Sequence, residues 1–542
     1  MAVGSAGTRI LILGGGFAGV ATAQALERSL GQRRGVEITL VNRENFFLFQ
    51  PLLPEVISGA IEANHILTPL RLMFRRVAVH VGAIEDIDLA ARVVTVSHGP
   101  FVPRRYLSYD HLVLALGSTT DLSGLPGLAQ HGFPLKTIGD AFHLRNHIIR
   151  MLEEADLDPD PEHRRGLLTF VVAGGGFTGV EVAAEIADLV QRAIPHYPRI
   201  RPGEARVLLL HSRRRLMPEL SQDLADVGTS VLQRQGIDLW LERRLTGATA
   251  TEALLRDGES IPTRTLVGTI GTAPNPLVAG LPLPKDAHGR LLVDASLRVQ
   301  DHPTIWALGD GAAVPSTIPG ELSPPSAQYA VREGRTLAAN LVATLIGGPL
   351  RPFAFTGLGQ MVSLGRHRAV ADVLGRKLTG FPAWWLWRTF YLLQLPGFQR
   401  KARVALDWTL DLVFDRDICE VQVDRSARVL RVHYEPDEVI VRQDDPADLF
   451  YIIEQGEVEV VRQEAGQPER RVARLGSGET FGEIALLRAT RRTATVRSVT
   501  AVDVLALSRE DFRFLSGHWA LLRESLNQQA AHRLVEHDGA QE

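Results

Sequence analysis

The sequence predicts an α/β chain built on two doubly wound units, followed by a helical segment and a small all-β barrel with flanking helices. Three observations lead there. Two apolar strands each run into a glycine-rich turn and an Ala-rich helix, one after Ile10 and one after Phe170. Trp and basic residues crowd one stretch, Phe381 to Phe414. Beyond Cys419 the texture changes to short, β-branched, alternating runs broken by Pro, Asp and Gly. At 542 residues the chain is too long for one core. Its 45% hydrophobic and 22% charged residues and net charge of −3 are those of ordinary globular domains. No overall basicity points to nucleic acid, and none is expected as a partner. The single cysteine, Cys419, excludes an internal disulfide, a dithiol redox centre and a Cys-based zinc site, and no metal is expected. No signal peptide is expected from "MAVGSAGTR", and no apolar run reaches the roughly 18 residues of a membrane span.

In "RILILGGGFAGVATAQALERSL" a buried-strand run precedes Gly14, Gly16 and Gly19, with Phe17 and Ala18 opening the helix. Gly14 permits the tight turn, Gly16 admits a pyrophosphate to the backbone, and Gly19 lets helix pack on strand. The helix N-terminus adds N–H donors and positive potential. A lone motif of this kind is also what any glycine-rich turn offers. Here "LTFVVAGGGFTGVEVAAEIADLV" repeats it at Gly174, Gly176 and Gly179, with Phe177 and Thr178 in the matching places. Two fingerprints imply two dinucleotides, for which the usual pair is FAD with NADH or NADPH. The strands "YDHLVLALGS" and "TLVGTIGTAPNP" run into Gly117 and Gly271 to close the two units, and "HPTIWALGDGAA" brings Asp310 to a strand end. An acid there can bond flavin or ribose hydroxyls; the plainer reading is an Asp-Gly turn.

Further stretches carry a resemblance. "NFFLFQPLLPEV" (Asn45 to Val56), "GGGFTGVEVAAEI", "SAQYAVREG" (Ser326 to Gly334) and the Trp-rich stretch together resemble the two-dinucleotide-binding flavoprotein reductases. More narrowly they are similar to the type II, single-subunit, non-pumping NADH dehydrogenases, over roughly residues 7 to 420. The resemblance implies Rossmann-like domains divided as residues 1–121 and 291–349 for FAD and 122–290 for NAD(P)H, with a membrane-associating segment at 350–420. It implies flavin contacts from Arg43 and Gln50, a flavin- and quinone-facing Gln328, a homodimer, and a cytoplasmic enzyme peripheral on the inner face of the cell membrane. With one cysteine, electrons must pass from flavin directly to the acceptor.

Three departures bear on the site. The second strand ends at Asn42, where an acid is expected to clamp the FAD ribose; Asn still bonds, without charge. Strand "ARVLLL" ends at His211, followed by Arg213, Arg214 and Arg215, so a 2′-phosphate is not repelled. Either guanidinium groups bind NADPH there, or they form a solvated loop and NADH binds without the clamp. Arg332 stands where the quinone motif usually shows Gln.

Glu181 and Glu185 lie one turn apart, so both are expected to face the cleft. Glu181 is read as a cofactor-orienting or proton-handling residue, or else as a carboxylate complementing the helix dipole. In "FPAWWLWRTFYLLQLPGFQRKARVALDWTLDLVF" the residues Trp384, Trp385, Trp387 and Trp408, interleaved with Arg388, Arg400, Lys401 and Arg403, suit short helices at a lipid headgroup boundary. The first run stops at Pro396 and cannot span; a buried helical hairpin is the alternative. A membrane location makes a lipid-soluble quinone the natural acceptor.

In the rear part "LFYIIEQGEVEVVR" reads as a hairpin centred on Gln455-Gly456. "FGEIALLRATRRTATV" (Phe481 to Val496) resembles the phosphate-binding cassette of cyclic-nucleotide-binding domains, over about residues 421 to 520, within a domain assigned to 421–542. Phe481, Gly482, Glu483, Ile484 and Ala485 form the turn and helix start, with Glu483 placed to accept the ribose 2′-OH. Arg492, read as lying on the following strand, would pair with the cyclic phosphate of cAMP or cGMP, and Thr493 would reach a guanine amino group. An inherited barrel with a repurposed pocket is the alternative. The residues after Phe514 are too few for a helix-turn-helix domain. The expected whole is a membrane-surface NAD(P)H:quinone oxidoreductase regulated or localised by a cyclic nucleotide. Its rivals are a soluble flavin enzyme with another acceptor and a sensor in which turnover is incidental.

Overall fold

The computed structural model describes residues 7–30, 33, 35–98, 102–414, 416–421, 430–434, 436–445, 449–463, 469–483, 486 and 491–508. The chain divides into two compact units, Met1–Val421 and Gln422–Glu542.

The first unit contains two five-stranded parallel sheets of the same design. One runs Ile305–Ala307, His111–Leu114, Thr8–Leu13, Val36–Asn42, Ala78–Val81 in spatial order. The other runs Gly132–Pro134, Thr265–Gly268, Thr169–Ala173, Arg206–Leu210, Ile237–Trp240. Covered on both faces, the central strands must be apolar throughout, and Ile10–Leu13 and Phe170–Ala173 are all buried. The chain completes the second sheet before returning through Ile305–Ala307 to the edge of the first. Each fingerprint therefore sits at the carboxyl end of a central strand, where the crossovers part and leave a crevice. Ser118–Thr120 and Thr272–Pro274 pair as an antiparallel ribbon that joins the two sheets.

Helix Phe17–Leu30 packs on the long helix Ala327–Ile346. Gly334 makes this close approach possible, since a Cβ there would lie 2.7 Å from the Ala18 carbonyl oxygen. A three-stranded antiparallel meander (Gly359–Ser363, Ala369–Val373, Arg376–Thr379) follows, then helices Gly380–Gln394 and Phe398–Leu410 on either side of Pro396. Among the described residues no helix is long and apolar enough to cross a membrane.

The Trp-rich stretch needs correction at residue level. Trp384, Trp387 and Trp408 are buried, and so is Arg388, whose guanidinium lies 4.2 Å from the Trp384 ring and 4.6 Å from the Trp408 ring. Only Trp385 of the four tryptophans is exposed, at 59%. The aromatic density serves the core, because a helix laid on a sheet turns its largest rings inward.

The second unit holds two four-stranded antiparallel sheets. Their orders are Leu430–Tyr434, Val502–Ser508, Leu449–Gln455, Thr480–Phe481 and Val439–Val441, Thr495–Ser498, Val458–Arg462, Arg470–Leu475. Val441, Tyr451, Ile453, Val458, Leu475, Phe481, Val496 and Val504 form the core between them. Gln455-Gly456 is not the turn of a hairpin. The strands on either side belong to different sheets, and Gly456, at φ +91°, carries the chain from one to the other. A Cβ at Gly456 would lie 2.2 Å from the Ala501 carbonyl oxygen, so contact with another segment, and not local pairing, fixes this corner.

Candidate functional site

At the first fingerprint Gly14 has φ +107°, and a Cβ there would stand 2.2 Å from the Ala115 carbonyl oxygen. A Cβ at Gly19 would overlap the Gly14 carbonyl at 1.8 Å, whereas nothing lies within 4 Å of one at Gly16. The turn is thus closed behind and open in front, beside the first N–H groups of the helix. That suits a pyrophosphate. Phe17 sits edge-on to Phe47 (4.9 Å) and Phe49 (5.7 Å), which anchors the segment carrying Gln50 beneath the turn. Asn42 accepts the Gly15 N–H at 2.8 Å and donates to the Glu44 carbonyl at 2.9 Å; Arg43 is exposed beside it.

Asp310 follows strand Ile305–Ala307 and accepts the Ser118 hydroxyl at 2.9 Å. Lys136 donates to Ser118 Oγ at 3.1 Å, has its Nζ 3.8 Å from Asp310, and accepts the Gln50 amide on its carbonyl at 3.1 Å. The structure so brings together Gln50, Asp310 and the residue after Gly117. Lys136, a lone basic residue in a connecting loop, carried no sequence signal. Glu333, buried on the long helix, accepts the Gly309 N–H at 2.7 Å, and burial pushes its carboxyl up to about 7. It lines a cavity with Asp310, Arg290, Ser326 and Tyr329.

The second fingerprint repeats the geometry. Gly174 has φ +126°, a Cβ at Gly179 would lie 1.8 Å from the Gly174 carbonyl oxygen, and the space at Gly176 is again open. Gly176 caps the helix that Phe177 and Thr178 begin. The Gly175 N–H donates to His211 Nδ1 at 3.0 Å. Burial, then the neighbouring Arg213, holds His211 below the ordinary imidazole range. Gly271, at φ +75°, accepts the Asp121 N–H on the ribbon between the sheets.

On this second helix Glu181 is partly exposed and accepts the Ser363 N–H at 3.2 Å. Burial pushes its carboxyl up to about 8, with the Glu185 and Glu55 charges adding to the rise. The residue lies in the second turn, past the reach of the dipole at the helix start. Glu185 does not face the cleft. It is buried, takes a hydrogen bond from Ser58, and lies 3.5 Å from Arg416, which also pairs with Asp188 at 2.7 Å and Asp411 at 3.0 Å. Burial raises Glu185 to about 7 against the pull of Arg416. Glu55, likewise raised mainly by burial, accepts from Trp408 Nε1 at 2.5 Å and lies 3.8 Å from Arg388. This knot ties the helix after the second fingerprint to the C-terminal helices of the unit. Apart from the Glu181/Glu185 spacing, nothing in the sequence signals it.

Gln328 opens the long helix, but both ends of its amide hold the following loop: Oε1 accepts the Leu358 N–H at 3.1 Å and Nε2 donates to the Gly359 carbonyl at 3.2 Å. Arg332 donates to the Gln328 carbonyl at 2.9 Å and stacks 4.0 Å from the Phe355 ring.

In the second unit Gly482 has φ +91°, and Glu483 after it is buried. Arg492 is buried and donates to the carbonyls of Gly482 (3.2 Å) and Leu449 (2.6 Å). Phe481 stacks on Tyr451 at 4.7 Å, and the guanidinium lies 5.9 Å from the Tyr451 ring. Arg492 precedes its strand, which starts only at Thr495, and Thr493 is exposed. A loop position lets the guanidinium turn back onto the glycine turn, as a residue in the ladder could not. Ile484, Ala485 and the segment after Phe514 lie outside the described residues. Among the described residues no group of ligand-type side chains gathers to hold a metal.

Three families match. Residues 8–334 match the family described as pyridine nucleotide-disulphide oxidoreductase, 358–417 the NDH2 C-terminal domain, and 431–517 the cyclic nucleotide-binding domain. The type II NADH:quinone oxidoreductase Ndh of Mycobacterium tuberculosis is 31% identical over 75% of this chain and 89% of its own. The demethylphylloquinone reductase NdbB of Synechocystis is 33% identical over 74% of this chain and 95% of its own. Among solved structures, NDH2 from Plasmodium falciparum in complex with NADH superposes with a TM-score of 0.70 at 20% identity, covering 76% of this chain and 99% of its own; that similarity concerns the fold.

Proposed function

The chain belongs to the pyridine nucleotide-disulphide oxidoreductase family and, within it, to the type II NADH:quinone oxidoreductases; from that premise we propose how its residues serve the reaction. It is an NAD(P)H:quinone oxidoreductase. We propose that the first fingerprint holds FAD and the second the nicotinamide. The observation that carries this reading is the duplicated cradle, each turn closed behind by glycine contacts and open at Gly16 and Gly176. FAD, when bound, supplies a two-electron carrier between pyridine and quinone. Gly16 and the helix start would take its pyrophosphate, and Asp310, held by Ser118 and Lys136, would bond its polyol hydroxyls. Glu181 keeps a proton on its carboxyl near neutral pH and sits at the cleft, so it can supply one of the protons that quinol formation consumes.

Membrane attachment, in this reading, uses the exposed apolar residues that the Trp reading passed over: Phe398 (86% exposed), Val413 (75%), Phe414 (64%) and Phe381, with Arg403 alongside. The second unit binds a cyclic nucleotide and regulates or localises the oxidoreductase, with Arg492 pairing the phosphate and Glu483 the ribose. The central test is anaerobic. The purified protein should be yellow, bleach on adding NADH or NADPH, and recover colour with a soluble quinone. A colourless protein that takes up no FAD would sink the reading. Flotation with vesicles, lost in a Phe398→Ser/Val413→Ser variant, tests the membrane face. Calorimetric titration with cAMP and cGMP, lost in Arg492→Ala, tests the pocket.

A further inference from the structure

The strand Arg206–Leu210 delivers His211 to the place where a ribose-clamping acid would stand. Its ring is oriented by one bond. Because Gly175 N–H donates to Nδ1 at 3.0 Å, Nδ1 holds the lone pair and the proton of the neutral ring lies on Nε2. Nε2 is buried, and the Arg215 backbone close to the ring favours its proton. The position thus sets no negative charge against a ligand.

The three arginines that follow divide by what holds them. Arg215 donates to the Pro218 carbonyl at 2.6 Å and to Gln222 at 3.0 Å, so it fixes the loop. Arg213 and Arg214 are exposed, and among the described residues neither side chain makes a hydrogen bond or ion pair. Their backbone is nonetheless pinned. His211 N–H donates to Trp240, Arg243 N–H to His211, Glu242 N–H to Arg213 and Met217 N–H to Gly175, all at 2.8–3.2 Å. Arg243 is engaged by Asp257 and Glu259. The acids on this rim, Glu219 and Glu242, are exposed and leave the two guanidinium groups uncompensated by any contact. A solvated loop has no cause to be stitched at four points while presenting two unengaged cations beside a pyrophosphate cradle.

We propose that this site selects a 2′-phosphorylated pyridine nucleotide, NADPH, with Arg213 and Arg214 gripping the 2′-phosphate and His211 placing no negative charge against it. The proposal rests on the reading of the second fingerprint as the nicotinamide site. The test titrates the full-length flavin-loaded protein by calorimetry with 2′,5′-ADP and with 5′-AMP, alongside flavin bleaching by NADPH and NADH. The 2′-phosphate should tighten binding by about tenfold or more, an advantage that charge-assisted bonds supply and that added salt erodes. An Arg213→Ala/Arg214→Ala variant should lose most of that advantage, and His211→Glu should shift preference toward 5′-AMP and NADH. Equal binding of the two probes by the wild type, or an advantage that survives the double variant, overturns the proposal. Bleaching by NADH without any preference for 2′,5′-ADP removes the NADPH assignment alone. A preference for 2′,5′-ADP with no bleaching by either coenzyme supports the phosphate site and removes the electron-donor reading beneath it.

Discussion

The two fingerprints share a backbone and part company in their side chains. In both, the N–H of the glycine after the first fingerprint glycine, Gly15 or Gly175, donates to a residue at the end of the second strand, Asn42 in one and His211, directly after it, in the other. Asn42 also donates one amide N–H to the Glu44 carbonyl, which ties it to its own loop, whereas the second nitrogen of His211 is buried. The helices differ more. The inner face of Phe17–Leu30 is made of Ala, Val, Gly and Leu with one buried Thr, whereas Phe177–Ala193 buries Glu185 and carries Glu181 and Asp188. A duplicated cradle can bind two similar dinucleotides. Only the second one is backed by carboxyl groups.

That contrast can be broken in four ways. The largest expected effect is at Arg416, whose removal leaves buried Glu185 without its counter-ion and Asp188 and Asp411 with Arg192 alone. Arg416→Met should cost about 3–5 kcal/mol in chemical denaturation of the first unit. Arg28→Met, on the exposed face of the first helix, should stay within about 0.5 kcal/mol. If the two variants lose similar amounts, the knot is not structural. Next are the glycines. A Cβ and a left-handed backbone together should cost about 2–4 kcal/mol of local binding geometry at Gly14 or Gly174. Gly14→Ala should come out without flavin. Gly174→Ala should keep its colour and fail to bleach with reduced nicotinamide; the reverse pattern would exchange the two assignments.

A smaller effect depends on pH. Because Glu181 is raised to about 8 in the folded protein, the native state holds a proton that the unfolded chain releases near 4.5. Its contribution to stability is complete below the unfolded value and is lost as pH rises through about 8. Glu181→Gln should therefore gain on the wild type between about pH 5 and 8, by on the order of 1–3 kcal/mol. Parallel stability curves would mean that the carboxyl is solvated. The smallest effect sharpens the likeness itself. Asn42→Ala and His211→Ala each strand one glycine N–H, and each should lower thermal stability by about 1 kcal/mol. A clear inequality between them would show that the matched bonds carry different loads.

Much of this was legible from the sequence, and for local reasons. Strand, glycine turn and helix are adjacent in the chain, so Gly14, Gly16, Gly19 and their counterparts could be placed by spacing alone. Asp310 and His211 could be found because each comes just after a strand. The misreadings have one cause, which is that a side chain's partner lies far away in sequence. Trp384, Trp387 and Trp408 look interfacial until Arg388 and Glu55 are packed among them. Glu185 looks cleft-facing until Arg416 covers it. Gln455-Gly456 looks like a hairpin until its two strands join different sheets.

By itself the sequence determined the α/β units, the two nucleotide cradles, the single thiol and the change to a β-rich second unit, because each is set by residue type within a few positions. Tertiary structure alone decided which charges are buried, which aromatics meet solvent, and which two of the three arginines after His211 stay unengaged. Those outcomes depend on desolvation and pairing between segments hundreds of residues apart, and no local pattern encodes them.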